Sequence, residues 1–358
     1  MRLAAEVFRL PVEQIRSGYY SDAYLNQTKS LLESDGRRPR VLMQVFQRER
    51  SLLGGIDEAL AVLRLCSGRR GADGAWQDGW RQLRVAALNE GDEIEPLEAV
   101  LTIEGDYSLF AHLETLYLGC LARRSLVMRN VREAVAAARG KPILFFPARH
   151  DHWLVQAGDG YAAHVAGANG VSTDAQASWW GGRGVGTIPH SLIAAYGGDE
   201  VAAARAFAGR LGSESNLTVL VDFHNHSVRT AVAVADALGG ELWGVRLDTA
   251  QNLVDEDLLA LLGADAPPGV SPELARAVRD GLDAHGHERV RIVASSGFTA
   301  ERIAAFEQGG APVDAYGIGS ALLRGANDYT ADVVCVEGEP LAKVGRGLRP
   351  NPRLSPVE

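Results

Sequence analysis

Four short segments constrain the fold of this chain most: VDFHNH at 221–226, GVRLDT at 244–249, ASSGF at 294–298 and YGIGS at 316–320. Each reads as a buried apolar strand that runs into small, acidic or hydroxyl residues. Segments of helical periodicity, such as 226–239 and 299–309, lie between them. Alternation of this kind argues for parallel β/α architecture with the polar strand ends gathered at one face. In closed barrels that face carries the chemistry, and the loops after the last two strands commonly hold a phosphate. Those loops are Ser295-Ser296-Gly297 and Gly317-Ile318-Gly319-Ser320. The pattern predicts a grip on a phosphorylated substrate.

Residues 1–108 read differently. Segments 41–47 and 99–105 have strand character, NEGDEI at 89–94 and the Gly-Asp pair at 105–106 have turn character, and 22–34 and 54–66 have helical patterns. An N-terminal α/β sandwich domain with an antiparallel sheet is expected there. A long helical region then runs from Leu109 to Arg139, with Gly140 placed to end it. Barrel-like strands follow at 142–147, 168–172, 217–222, 242–247, 289–294, 313–317 and 332–336. These are too few for a regular eight-stranded ring, so 109–336 is expected to form an irregular α/β barrel. The tail 337–358 is expected to pack back on the first domain.

With 358 residues the chain can hold one large barrel plus a smaller domain. A net charge of −9 argues against a nucleic-acid or membrane-surface partner, either of which needs a basic footprint. Cys66, Cys120 and Cys335 lie far apart in apolar or helical contexts, which speaks against a disulfide framework or zinc site and for a reducing cytoplasm. The opening residues are charged throughout, unlike a signal sequence, and no stretch approaches the roughly 20 apolar residues that span a bilayer.

Several residues could carry chemistry. Asp222 and Asp248 follow apolar strand cores, where carboxylates either hold Mg²⁺ and sugar hydroxyls or cap the next helix. Arg246 alternates with Asp248 and so shares its face; a buried guanidinium there needs a carboxylate partner. In GVGTIPHSLI, Thr187 falls near a helix cap and Pro189 in the first turn, which puts His190 where a phosphoryl group would be stabilised. FFPARHDHW sets Arg149 after a strand, suited to a carboxylate or phosphate. The pairs His150/His152 and His224/His226 have the H-x-H spacing of barrel metallohydrolases, which also need ligands from later strands. Tyr19, Tyr20 and Tyr24 are either packing residues or a platform for a flat ring.

In this order, YYSDAY, MQVFQ, LGGIDEAL, NEGD-x-x-x-PLE-x-VLTIEG, LETLYLG, GANGVS, GTIPHSLI, VDF-x-N, LWGVRLDT, ASSGF, YGIGS and LAKVGR resemble the nicotinate phosphoribosyltransferase family, within the type II phosphoribosyltransferases. The likeness runs along almost the whole chain. It implies an open-faced sandwich followed by an irregular barrel, in subunits that pair so that one N-terminal domain covers the other's site. It also implies that nicotinate and phosphoribosyl pyrophosphate yield nicotinate mononucleotide and pyrophosphate, with Mg²⁺ and coupled ATP hydrolysis through phosphohistidine at His190. By the same resemblance, Tyr24 stacks on the pyridine ring and Arg149 pairs with its carboxylate. Asp222 and Asp248 hold ribose, pyrophosphate and Mg²⁺, while the Ser296-Gly297 and Gly319-Ser320 backbones cradle the 5′-phosphate.

The chain departs from the family pattern in two places. Arg149 is followed by His150 where two adjacent basic residues are usual, and His224 and His226 stand where relatives carry acids. Rival readings are a quinolinate- or nicotinamide-using relative, a barrel metallohydrolase, and a non-catalytic sensor of phosphoribosyl pyrophosphate.

Overall fold

A computed structural model describes residues 2–211 and 216–358. The chain divides into two compact units, one of Met1–Arg129 with Gly325–Glu358 and the other of Asn130–Arg324. The division differs from the expected boundary near residue 108. The helix Glu114–Ala137 begins within the first unit, where Leu113, Tyr117 and Leu121 are fully buried in its core. A continuous helix gives the sequence no break at which to see such a boundary.

The first unit is built on an antiparallel sheet. Its order is Glu339–Pro340, Thr330–Val336, Arg40–Phe46, Ala99–Asp106, Arg84–Ala87 and Ser355–Pro356. Met43, Val45, Leu101 and Ile103 face a core shared with helix Ile56–Cys66, whose Ile56, Leu60 and Leu63 lie on one stripe at helical spacing. The NEGD turn caps that helix. The Glu90 carboxylate accepts the N–H groups of Gly55 at 2.6 Å and Asp57 at 3.2 Å, and burial pushes its pKa up to about 7.

Segment 332–336, expected in the barrel, belongs instead to this sheet. It pairs antiparallel with Arg40–Phe46, setting Val45 opposite Ala331 and Phe46 opposite Thr330. A parallel barrel strand must be covered on both faces, whereas within Thr330–Val336 only Val334 is buried.

The second unit carries a parallel sheet ordered Thr218–Leu220, Gly244–Leu247, Arg291–Ala294, Ala315–Ile318, Ile143–Phe145 and Gly170–Val171. Val219, Val245, Leu247, Ile292, Ile318 and Phe145 are all fully buried, as strands covered on both faces require. The sheet curls, and a seventh segment lies between its edges. The Val185 N–H donates to the Val171 carbonyl at 2.7 Å, while Ile188 donates to Thr218 at 3.0 Å and bridges Val219. The barrel is irregular because this segment replaces a full strand. Among the described residues no helix is long and apolar enough to cross a membrane.

Tyr117 is fully buried, and its hydroxyl has no hydrogen-bond partner among the described residues. Leaving such a group unpaired costs about 1–3 kcal/mol. Tyr117→Phe should therefore raise the thermal unfolding midpoint followed by circular dichroism; a fall would show that the hydroxyl has a partner in solution.

Candidate active site

The polar strand ends of the second unit converge on a cleft of about 790 Å³. Arg246 organises it. The residue leaves Gly244–Leu247 on the same face as Asp248 and donates in three directions: Nε to Ser295 Oγ at 2.8 Å, Nη1 to Thr187 Oγ1 at 2.8 Å and Nη2 to Asp248 Oδ2 at 3.0 Å. Ser295 Oγ also stands 2.7 Å from Asp248 Oδ1 and 2.9 Å from the Leu247 carbonyl, so its single proton serves one of them at a time. The guanidinium lies over the Phe146 ring, 5.6 Å from its centroid. Asp248 is thus a partner of Arg246, not a helix cap.

His190 opens the short helix His190–Ala195, directly after Pro189. Thr187 does not cap that helix; its hydroxyl is taken by Arg246. The His190 Nε2 atom stands 3.1 Å from Asp222 Oδ1, and that carboxylate is only 5% exposed. The hydrogen bond to Asp222 raises the histidine pKa, opposed by burial and by Arg246 and assisted by the charges of Asp222 and Asp248. Asp222 is therefore spent on orienting His190.

The two loops expected to hold phosphate both line the cleft. Ser296 and Gly297 adopt left-handed backbone at φ 73° and 68°. The N–H groups of Ser296, Gly297 and Phe298 donate to no acceptor among the described residues, and neither do those of Gly319 and Ser320. Phe298 is buried against Phe306 and Tyr316, while Thr299 caps helix Ala300–Gln308 by accepting the Arg302 N–H at 3.3 Å. Free N–H groups leading into a helix N-terminus make a site for an anion. Gly317 and Gly319 leave room for rings: a Cβ on the first would meet Phe146 at 2.8 Å, and on the second His150 at 2.8 Å.

Arg149 and His150 share the turn Ala148–His150 and also line the cleft. Arg149 is exposed and makes no hydrogen bond or ion pair among the described residues, so its charge is free for a ligand. Burial, and then the charge of Arg149, lowers the His150 pKa. Tyr24 belongs to the first unit, on helix Ala23–Ser34, with 60% of its surface exposed.

The H-x-H pairs do not build a metal site among the described residues, where no group of three ligating side chains occurs. His152 accepts the Leu154 N–H, His224 pairs with the Gly198 carbonyl at 2.8 Å, and His226 lies 3.4 Å from Asp257 Oδ1. The metallohydrolase reading is withdrawn on that ground. For Mg²⁺, Asp248 and Asp222 are the available carboxylates and each already has a partner. A hard cation at Asp248 would therefore draw most of its oxygen ligands from substrate and water.

Sequence reasoning missed Phe146, Gln251 and Arg324, which all line the cleft. Phe146 was hidden inside an apolar run. Gln251 lies three residues beyond Asp248 in a strand-end loop, and its position there is the signal that could have found it.

This is the fold and cleft of a type II phosphoribosyltransferase. The family model for the N-terminal domain of quinolinate phosphoribosyl transferase matches residues 22–125. Nicotinate phosphoribosyltransferase pncB1 of Mycobacterium tuberculosis is 32% identical over 265 residues, covering 71% of this chain and 54% of the relative. The chain spans about half the length of the curated relatives it matches. The crystal structure of nicotinate-nucleotide pyrophosphorylase from Pyrococcus furiosus is 32% identical, with a TM-score of 0.78 over 94% of this chain and 80% of that one. The structure of human nicotinic acid phosphoribosyltransferase, at 20% identity, shares the fold with a TM-score of 0.65 over 90% and 75% of the two chains. The chain belongs to the type II phosphoribosyltransferase family of nicotinate phosphoribosyltransferases and nicotinate-nucleotide pyrophosphorylases.

His190 binds its proton more tightly in the folded chain than in the unfolded one. Its charged pairing with Asp222 therefore stabilises the fold fully below the ordinary histidine range, and this contribution is lost as pH rises through the raised value. In an NMR titration Asp222→Asn should lower the His190 pKa. The stability gap between the wild type and His190→Gln should narrow as pH rises from about 5.5 to about 8.5, either side of the usual histidine value. An unchanged His190 titration in Asp222→Asn would break the pairing.

Proposed function

We propose that the chain joins nicotinate to phosphoribosyl pyrophosphate, releasing pyrophosphate and forming nicotinate mononucleotide, as a soluble cytoplasmic enzyme of pyridine nucleotide salvage. One observation carries this reading: unpaired backbone N–H groups at Ser296–Phe298 and Gly319–Ser320 line the same cleft as the Arg246–Asp248 pair and the free Arg149. The N–H groups suit the 5′-phosphate, Asp248 suits the ribose hydroxyls, and Arg149 suits a single carboxylate on the base. The Phe146 ring beside Arg246 offers a face for the pyridine.

The pyridine nitrogen is already a nucleophile and needs no general base. It attacks the anomeric carbon as the bond to pyrophosphate breaks, and the leaving group takes the electron pair. The protein's part is to hold the reactants in line and to balance the charge that departs. Mg²⁺, when bound beside Asp248, would neutralise the leaving pyrophosphate.

His190 supports coupling to ATP. With Nε2 held by Asp222, Nδ1 is the ring nitrogen left to accept the γ-phosphoryl group; ADP leaves, and water later returns the histidine and frees phosphate. Exposed Tyr19, Tyr20 and Tyr24 support a homodimer in which the Tyr24 ring of one copy stacks on the base bound by another. Quinolinate is disfavoured because its second carboxylate would meet His150, whose pKa burial and the Arg149 charge lower, and not a second arginine or lysine. Nicotinamide would leave Arg149 without a counter-charge.

The test is pyrophosphate release by the purified protein with phosphoribosyl pyrophosphate and Mg²⁺, offering nicotinate, nicotinamide and quinolinate in turn, each with and without ATP. Release is expected with nicotinate, raised by ATP. His190→Ala should abolish the ATP stimulation while leaving the basal reaction. Preference for another base would overturn the substrate, and release with none of them would overturn the enzyme reading.

Phosphoryl transfer to Nδ1 needs a neutral ring, so the ATP-stimulated fraction should fall as pH drops through the raised His190 pKa. Asp222→Asn should move that inflection to lower pH. A pH profile of ATP stimulation that is the same in both proteins would exclude His190 from the coupling.

A further inference from the structure

Arg302 takes no part in the scheme above. It stands in the first turn of helix Ala300–Gln308, half-buried, and burial is the one influence that moves its pKa, downward. No carboxylate pairs with it among the described residues. All its contacts are with neutral groups. Nη1 donates to the Ser296 carbonyl at 2.7 Å and Nη2 to the Val270 carbonyl at 2.5 Å, while the guanidinium lies 4.5 Å from the centroid of the Phe298 ring. A guanidinium held this way keeps its charge, and the fold supplies no counter-ion for it.

Its first partner is the unusual residue of the loop. Ser296 is a non-glycine residue at φ 73°, followed by Gly297 at φ 68°. Left-handed backbone at a serine persists only where its surroundings impose it. Arg302 does so by tying the Ser296 carbonyl to Val270, which belongs to a separate loop. Because the peptide plane is rigid and trans, fixing the Ser296 carbonyl toward Arg302 turns the Gly297 N–H to the opposite side. That N–H is among the donors without a protein acceptor, and Gly297 lines the cleft. Behind the loop, the Cβ position of Gly297 is met first by Gln251 Nε2 and lies 3.5 Å from Arg302 Nη1, which does not itself line the cleft.

We propose that Arg302 is the positioning residue of the phosphate cradle. It holds the Ser296-Gly297 turn with its donors presented to the cleft and contributes the positive charge that a bound phosphate neutralises. Arg302 therefore sets affinity for the phosphoribosyl substrate and not for the base. This rests on the phosphoribosyltransferase reading given above.

Two measurements test it: calorimetric binding of ribose 5-phosphate, which carries the phosphate without the leaving group, and KM for each substrate. Arg302→Gln should weaken ribose 5-phosphate and raise KM for phosphoribosyl pyrophosphate by about 10- to 100-fold, the range of a lost charged hydrogen bond. KM for nicotinate should stay within about twofold, a difference worth well under 1.4 kcal/mol. Arg302→Lys keeps the charge but cannot bridge both carbonyls, so an intermediate loss is expected; it also carries the test if Arg302→Gln does not fold. Wild-type affinity in a folded variant, or an equal rise in KM for both substrates, would overturn the proposal. Failure of the wild type itself to bind ribose 5-phosphate would instead overturn the functional reading.

Discussion

The second unit is organised around one half-buried guanidinium. Arg246 takes partners from three separate stretches of chain: Asp248 beyond the end of its own strand, Ser295 beyond the end of the adjacent one, and Thr187 from the segment between the sheet edges. That segment makes one backbone hydrogen bond to each flanking strand and buries Ile188 fully. Through Thr187, Arg246 also ties that segment to the polar floor of the cleft. A charge in such a place is stable only with its partners in position, so the fold is committed to the geometry of the site.

The two strand-end aspartates have been given different work by their neighbours. Asp248 faces Arg246 and Ser295, which hold it at the cleft wall. Asp222 is nearly buried and faces the imidazole of His190, whose affinity for a proton it raises. Residues of the same type at equivalent strand ends thus diverge in function through what lies opposite them. Only the opposing side chains, not the spacing of the acids, separate the two roles.

Much of this arrangement could be read from the sequence. Strands covered on both faces appear as short apolar runs, and their polar ends stop them abruptly, which is why VRLD, ASSG and GIGS stand out in the sequence as the strand ends that line the cleft. Arg246 and Asp248 were legible as a pair because strand alternation puts them on one face. What failed were features set by tertiary context. The 185–188 segment, Val-Gly-Thr-Ile, follows the glycine-rich 181–184 and contributes a single bridge, so it carries no strand period of its own. Thr330–Val336 has strand character but nothing local to say which sheet it joins. Arg302 reads as an ordinary charge on an amphipathic helix, and only its carbonyl partners set it apart.

The departures from the family pattern narrow once each side chain is located. His224 and His226 are occupied by Gly198, Asp257 and Arg229, all outside the cleft lining. Neither histidine lines the cleft. His150 is different, since its ring lies against Gly319 and beside Arg149 in the lining itself. Burial, and then the charge of Arg149, lowers the His150 pKa, so Arg149 is the stronger cation in this part of the wall. On the proposed function, Arg149 would face the single carboxylate of the base, leaving the phosphate loops, Arg246 and Arg324 to meet the rest of the negative charge.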